Sequence, residues 1–202
     1  HCREWVRLGA DVTVITCAPN FPGGRVFDGY SNKLFQTEVV EGIKVIRVWS
    51  YVAANAGFLK RIVDFVSFAA SAFIAGLFVD FDVVVATSPQ FFTTFAGAGL
   101  SHARGKPWVF ELRDLWPESI VATGSMKRGV AIDVLERIEV ALYRDARMVI
   151  AVTDAFKADL VARGVPASKI EVVTNGVYAD AFRAEGADIQ ALGAPLAERD
   201  FV

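Results

Sequence analysis

Trp108-Val109-Phe110-Glu111-Leu112-Arg113-Asp114-Leu115-Trp116-Pro117-Glu118-Ser119 is the stretch whose reading decides the fold. It begins as a short apolar run and turns, within a few residues, into a cluster of Glu111, Arg113, Asp114 and Glu118 broken by Trp116-Pro117. A short apolar run of this kind is the pattern of a strand buried in a parallel sheet. In open parallel sheets ligands bind outside the carboxyl ends of the strands, so charge gathered at this exit is where chemistry is expected. The stretch predicts a strand over 107–112 followed by a ligand-facing turn.

Working outward, the same grammar recurs. Residues 10–17 (ADVTVITC), 82–87 (DVVVAT), 147–153 (RMVIAVT) and 169–174 (KIEVVT) read as further buried strands, and 43–50 (IKVIRVWS), alternating apolar and basic, as a half-exposed strand near a sheet edge. Helices are predicted over 57–79, over 89–104 with Pro89 in the first turn, over 130–144, and over 154–163 closed by Gly164. Cys2 to Leu8 reads as the end of a helix capped by Gly9. Strand and helix alternating with short connections imply an α/β fold, a Rossmann-like, doubly wound parallel sheet with helices on both faces. The expected division is a domain over 1–180, with its first strand missing, and a linker or the start of a further domain over 181–202.

Composition bounds the function. The 202 residues are 53% hydrophobic and 22% charged, with a mean hydropathy of +0.38. That suits a globular domain around a fully buried sheet and excludes disorder. A net charge of -2 supplies no basic field for nucleic acid. Cys2 and Cys17 form no disulfide framework or zinc spacing, which points to a reducing, cytoplasmic compartment and no metal. In the helix over 57–79, Lys60, Asp64, Ser67 and Ser71 fall on one stripe, favouring a helix packed on the sheet. The basic pair Lys60-Arg61 leaves peripheral contact with an anionic membrane as the alternative.

No GxGxxG, GxxxxGK[ST], GxSxG or HExxH motif occurs. The candidate site is therefore built from strand exits. Arg113 and Asp114 place a cation beside a carboxylate, suited to hydroxyl recognition, anion binding or proton transfer, or to an internal lock. Glu111, Glu118 and the indole of Trp116 lie in the same segment, Ser88 follows another strand, and Asn175-Gly176 reads as a tight turn with Gly176 at positive φ. The loop over 18–30, with two prolines, three glycines and three aromatics, is too long to be a bare connection, and Asn20, Phe21 and Arg25 are its candidate ligand-facing residues.

Ser88-Pro89-Gln90-Phe91, the segment Glu111 to Ser119, Val152-Thr153-Asp154-Ala155-Phe156-Lys157, Asn175-Gly176-Val177 and the loop Ala18 to Gly24 together resemble the N-terminal half of family 4 glycosyltransferases. More narrowly they are similar to the bacterial subgroup that builds lipid-linked surface polysaccharides. The resemblance runs from Cys2 to about Phe182, and RDLWPES is its most specific part. It implies one half of a GT-B fold, a retaining transferase whose partners are a nucleotide-sugar donor and a lipid-linked saccharide acceptor, at the inner face of the cytoplasmic membrane, with no metal or other cofactor. By this resemblance Asp114 and Arg113 stand at the reacting centre. Asn20 to Arg25 form the acceptor wall, and Ser88, Glu111, Trp116, Glu118, Asn175 and Gly176 line the substrate side. The sequence departs from the family in lacking the first strand with its glycine-rich loop and the C-terminal donor domain. It also departs in carrying Arg113-Asp114 where many members have a histidine. The alternative is a non-catalytic Rossmann-like ligand-binding or scaffold module using the same cleft.

Overall fold

The computed structural model describes residues 1–52, 57–88, 90–116 and 129–176. Helix α1 (Cys2–Arg7) leads into strand β1 (Thr13–Thr16), then β2 (Phe35–Val40) and β3 (Ile43–Val48), helix α2 (Phe58–Gly76), β4 (Val84–Thr87) and α3 (Phe91–Arg104). The second half runs β5 (Trp108–Leu112), α4 (Val130–Asp145), β6 (Met148–Ala151), α5 (Asp154–Ala162), a 3-10 turn (Ala167–Lys169) and β7 (Ile170–Val172). The parallel α/β architecture predicted from the sequence is present. Pro89 and the proposed linker over 181–202 lie outside the described residues.

The strands form two sheets rather than one. β4, β5, β6 and β7 make a wholly parallel sheet in that order, with Val84 opposite Trp108, Val109 opposite Met148 and Val149 opposite Ile170. β1, β3 and β2 make a mixed one, β1 parallel and β2 antiparallel to β3. β1 and β4 share no ladder, so each sheet ends there in an open edge among the described residues.

Two sequence expectations are corrected here. β3 is the central strand of its sheet and largely buried, with β2 outside it. Its basic residues misled: Arg47 is screened because it reaches across to Glu38 of β2 at 2.5 Å and lies 4.9 Å over the Tyr30 ring. β2 itself was not predicted. Its signal was Glu41-Gly42, where both residues take positive φ (52° and 81°), the conformation of a tight primed hairpin turn.

The core follows the parallel sheet. Trp108, Phe110, Leu112, Tyr143, Val149, Leu160 and Ile170 are buried together, and the Phe110 ring meets Tyr143 edge-on at 4.7 Å. Trp108 Nε1 donates to Asp145 Oδ2 at 2.9 Å, so the one polar atom of that indole is satisfied. A second cluster of Ile46, Val48, Phe68, Ala72, Ala75 and Ala96 joins the mixed sheet to α2 and α3. Glycine makes the helix packing possible. A Cβ on Gly97 would meet Ala86 Cβ of β4 at 2.5 Å, and one on Gly76 would meet the Leu100 side chain at 2.4 Å.

Beneath α4 and α5 lies a buried polar group. Glu139, 1% exposed, accepts from Tyr143 Oη at 2.7 Å and from Arg163 Nη2 at 2.8 Å. Burial pushes its carboxyl up to about 7, and Tyr143 and Arg163 pull the other way without cancelling that rise. Because the folded chain holds this proton more tightly than the unfolded one, its contribution to stability is full below about pH 4.5 and fades as pH rises through about 7. Thermal melts should show the wild type losing stability relative to Glu139→Gln across that window. A wild type that gains on the variant as pH rises would contradict the assignment.

Candidate functional site

The exits of β4, β5 and β7 converge. After β4 the chain turns at Ser88, which is 2% exposed. The Ser88 N–H donates to the Glu111 carbonyl at 3.0 Å, and Ser88 Oγ accepts the Arg113 N–H at 3.2 Å. This fixes the backbone where β5 stops. Arg113 then extends outward and donates through Nη2 to Asn175 Oδ1 at 3.2 Å, tying the exit of β5 to that of β7. Ser88, Glu111, Arg113 and Asn175, predicted from separate segments, are thus brought to one edge, the carboxyl edge of the parallel sheet.

Glu111 and Asp114 differ in environment. Glu111 is buried, 7% exposed, and His1 Nδ1 lies 3.0 Å from its Oε1. His1 could not be placed here by sequence reasoning, because a contact between positions 110 apart leaves no local signal. Asp114 is half-buried. Among the described residues it has no hydrogen bond or ion pair, and Arg113 turns to an amide rather than to a carboxylate. Among the described residues no ion pair joins Arg113 to a carboxylate. Among the described residues this leaves a cation tied to Asn175 and a carboxylate able to accept from a ligand hydroxyl or hold a proton.

Trp116 stacks face to face on Phe91 at 4.4 Å and 14°, with Phe92 edge-on at 6.3 Å. One face of the indole is therefore occupied within the protein. Glu118 lies outside the described residues. Gly176 is exposed and does not take positive φ, so the conformational reason given for it from sequence is replaced: the turn there needs no left-handed residue.

A second patch lies at the exits of β1 and β3. The Asn20 side-chain amide donates to the Ala18 carbonyl at 2.9 Å, and the Asn20 backbone carbonyl accepts the Gly24 N–H at 2.7 Å, so Asn20 shapes the loop. Phe21, 84% exposed, and Arg25, also exposed, project from it. No hydrogen bond or ion pair joins Asn20, Phe21 or Arg25 to Arg113 or Asp114 among the described residues. Beneath this loop sit Cys17 and Asp64, which sequence reasoning did not bring together. Burial raises the pKa of both, and the Asp64 charge adds to the rise at Cys17. The Ser50 hydroxyl, fully buried, lies near enough to offset part of each rise without reaching hydrogen-bond geometry. Among the described residues no group of three or more His, Cys, Asp or Glu side chains is placed to hold a metal ion.

The sequence matches the glycosyl transferase 4-like domain family over residues 1–176. No curated protein matches the chain. Among solved structures it is similar to Anabaena HepE in complex with UDP-glucose, at 20% identity and a TM-score of 0.50 over 75% of this chain. A second HepE structure, with UDP and glucose, aligns at 21% identity and a TM-score of 0.49 over 75% of this chain. The chain spans 36% of the length of each HepE structure. The likeness to the UDP-glucose complex shows the fold, the Rossmann-like half of a GT-B architecture.

Proposed function

This chain belongs to the glycosyl transferase 4-like domain family, and from that premise we propose that it forms the acceptor-side half of a retaining glycosyltransferase. The donor is a nucleotide-sugar, the nucleotide being held mainly by residues beyond those described. The acceptor is a lipid-linked saccharide, the setting surface polysaccharide synthesis in the RDLWPES subgroup, and the place the inner face of the cytoplasmic membrane. That HepE was solved with UDP-glucose supports a nucleotide-sugar donor.

The observation that carries the reading is Asp114, a carboxylate at a strand exit with no hydrogen bond or ion pair among the described residues, whose neighbour Arg113 is held by Ser88 and Asn175. Sugar transfer with retention spreads positive charge over the anomeric carbon and negative charge over the leaving phosphate, so positioned charges contribute more than a strong nucleophile. Asp114 is suited to orient an acceptor hydroxyl and take up its proton, Arg113 to face developing negative charge. The exposed loop residues Asn20, Phe21 and Arg25 form the outer acceptor wall. Glu111 and Ser88 act as supports for Arg113 and Asp114, and Trp116 stacks on Phe91 beside them. No metal or other cofactor enters this scheme.

The test is transfer of labelled sugar from a nucleotide-sugar to a lipid-linked saccharide by the protein encoded in the native reading frame. Asp114→Ala should remove most of that transfer, and unchanged transfer would sink the assignment.

A further inference from the structure

Helix α2 turns part of its polar stripe inward. Ser67 Oγ accepts the Tyr51 N–H at 2.8 Å and donates to the Asp64 carbonyl at 2.8 Å, which ties Ser67 to the exit of β3, while Lys60 of the same stripe is exposed. Phe68, Ala72 and Ala75 face the core. The face left outward is apolar: Leu59 (73% exposed), Val63, Val66, Ala70 and Ile74 (58% exposed) recur every three or four residues and form one continuous stripe. Beside it a groove of about 330 Å³ runs between α2 and α3, lined only by apolar side chains and Gly99, with Phe73, Phe92 and Phe95 among them. Scattered exposed apolar residues are normal, but a contiguous strip with an adjoining apolar groove marks a contact surface.

The charges at its two ends choose the partner. At the far end Asp80 and Asp82 pair with Arg104 and Lys106. At the start of α2, Lys60 and Arg61 are both exposed, and Arg61 lies 5.9 Å over the Phe65 ring rather than on a carboxylate. Among the described residues no ion pair neutralises Lys60 or Arg61, so the charge left along this face is basic. A groove without polar lining gives a protein partner no hydrogen bonds by which to be chosen, whereas an acyl boundary needs none. No described helix is long and apolar enough to cross a membrane.

We propose that the α2–α3 face seats the protein on an anionic lipid bilayer, the apolar stripe entering the acyl boundary and Lys60 and Arg61 meeting the headgroups. This deepens the lipid-linked acceptor reading and rests on it for its purpose, though not for its geometry. Ser67, midway along α2, accepts the Tyr51 N–H just past β3, so the helix is tied at its middle to the carboxyl edge of that sheet.

The experiment is co-sedimentation of this chain with phosphatidylcholine vesicles containing or lacking phosphatidylglycerol. The expected result is binding that requires phosphatidylglycerol, falls about tenfold or more in Lys60→Glu/Arg61→Glu, and falls several-fold in Val66→Ser/Ile74→Ser, with thermal melts of both variants matching the wild type. Absence of binding, binding indifferent to either pair, or a dimer in sedimentation equilibrium that Val66→Ser/Ile74→Ser dissociates would overturn the proposal. Sedimentation reads attachment and not transfer, so an enzyme without sugar-transferring activity would still bind and would indict the functional reading alone.

Discussion

Asp114→Ala is expected to lower turnover at least ~100-fold, a loss of about 2.7 kcal/mol of transition-state stabilisation, in line with removing one positioned group from a preorganised site. The same change should leave the melting temperature within roughly 2 °C, because half-buried Asp114 has no hydrogen bond or ion pair among the described residues, and substitutions that break no such contact stay within about 0.5 kcal/mol. The contrast comes from the geometry: Ser88 holds the backbone at Arg113, and Arg113 is bonded to Asn175, without help from Asp114. Steady-state kinetics and a thermal melt on one preparation read both quantities. Collapse of the fold would mean that Asp114 is structural, and full turnover would mean that the reacting centre lies elsewhere.

The second large effect is on stability. Phe110 is 1% exposed. Its ring lies between Trp108 at 5.8 Å and Tyr143 at 4.7 Å, on the strand whose exit carries the site. Phe110→Ala removes the ring and leaves a cavity walled by other rigid aromatics, which costs about 3–5 kcal/mol. In denaturant titrations the midpoint should fall accordingly with the slope unchanged. A loss below about 1 kcal/mol would show that the site collapses around the deletion and that β5 is not the centre of the core.

The legibility of this protein in its sequence varies with how local each determinant is. The buried parallel strands announced themselves, because a strand covered on both faces must be apolar at nearly every position, as in Trp108 to Phe110 and Met148 to Ala151. The strand β3 was misplaced toward an edge because Lys44 and Arg47 look solvent-facing. In the folded chain Glu38 and Tyr30, from elsewhere in the sequence, screen Arg47. On α2 the stripe of Lys60, Asp64, Ser67 and Ser71 was taken as the mark of a helix packed on the sheet, with no statement of which side it faced. Periodicity fixes which residues share a face, not which face meets the protein; the Tyr51 N–H holds Ser67 inward while Lys60 stays exposed.

The site divides in the same way. Ser88, Glu111, Arg113 and Asn175 could be picked out because each ends a strand, and parallel topology places such ends together. His1, Cys17, Ser50 and Asp64 could not, since their proximity depends on tertiary approach. Phe91 stacking on Trp116 is likewise invisible in the sequence, and it changes the tryptophan from an open platform into a partly filled one.

The central claim is that this chain carries the acceptor side of the cleft while the nucleotide is held elsewhere. Titration calorimetry of the 202-residue chain with a panel of UDP- and GDP-sugars tests it most directly. The account predicts no saturation below about 1 mM, a binding free energy no better than about -4 kcal/mol. Stoichiometric micromolar binding of any one of them would contradict it.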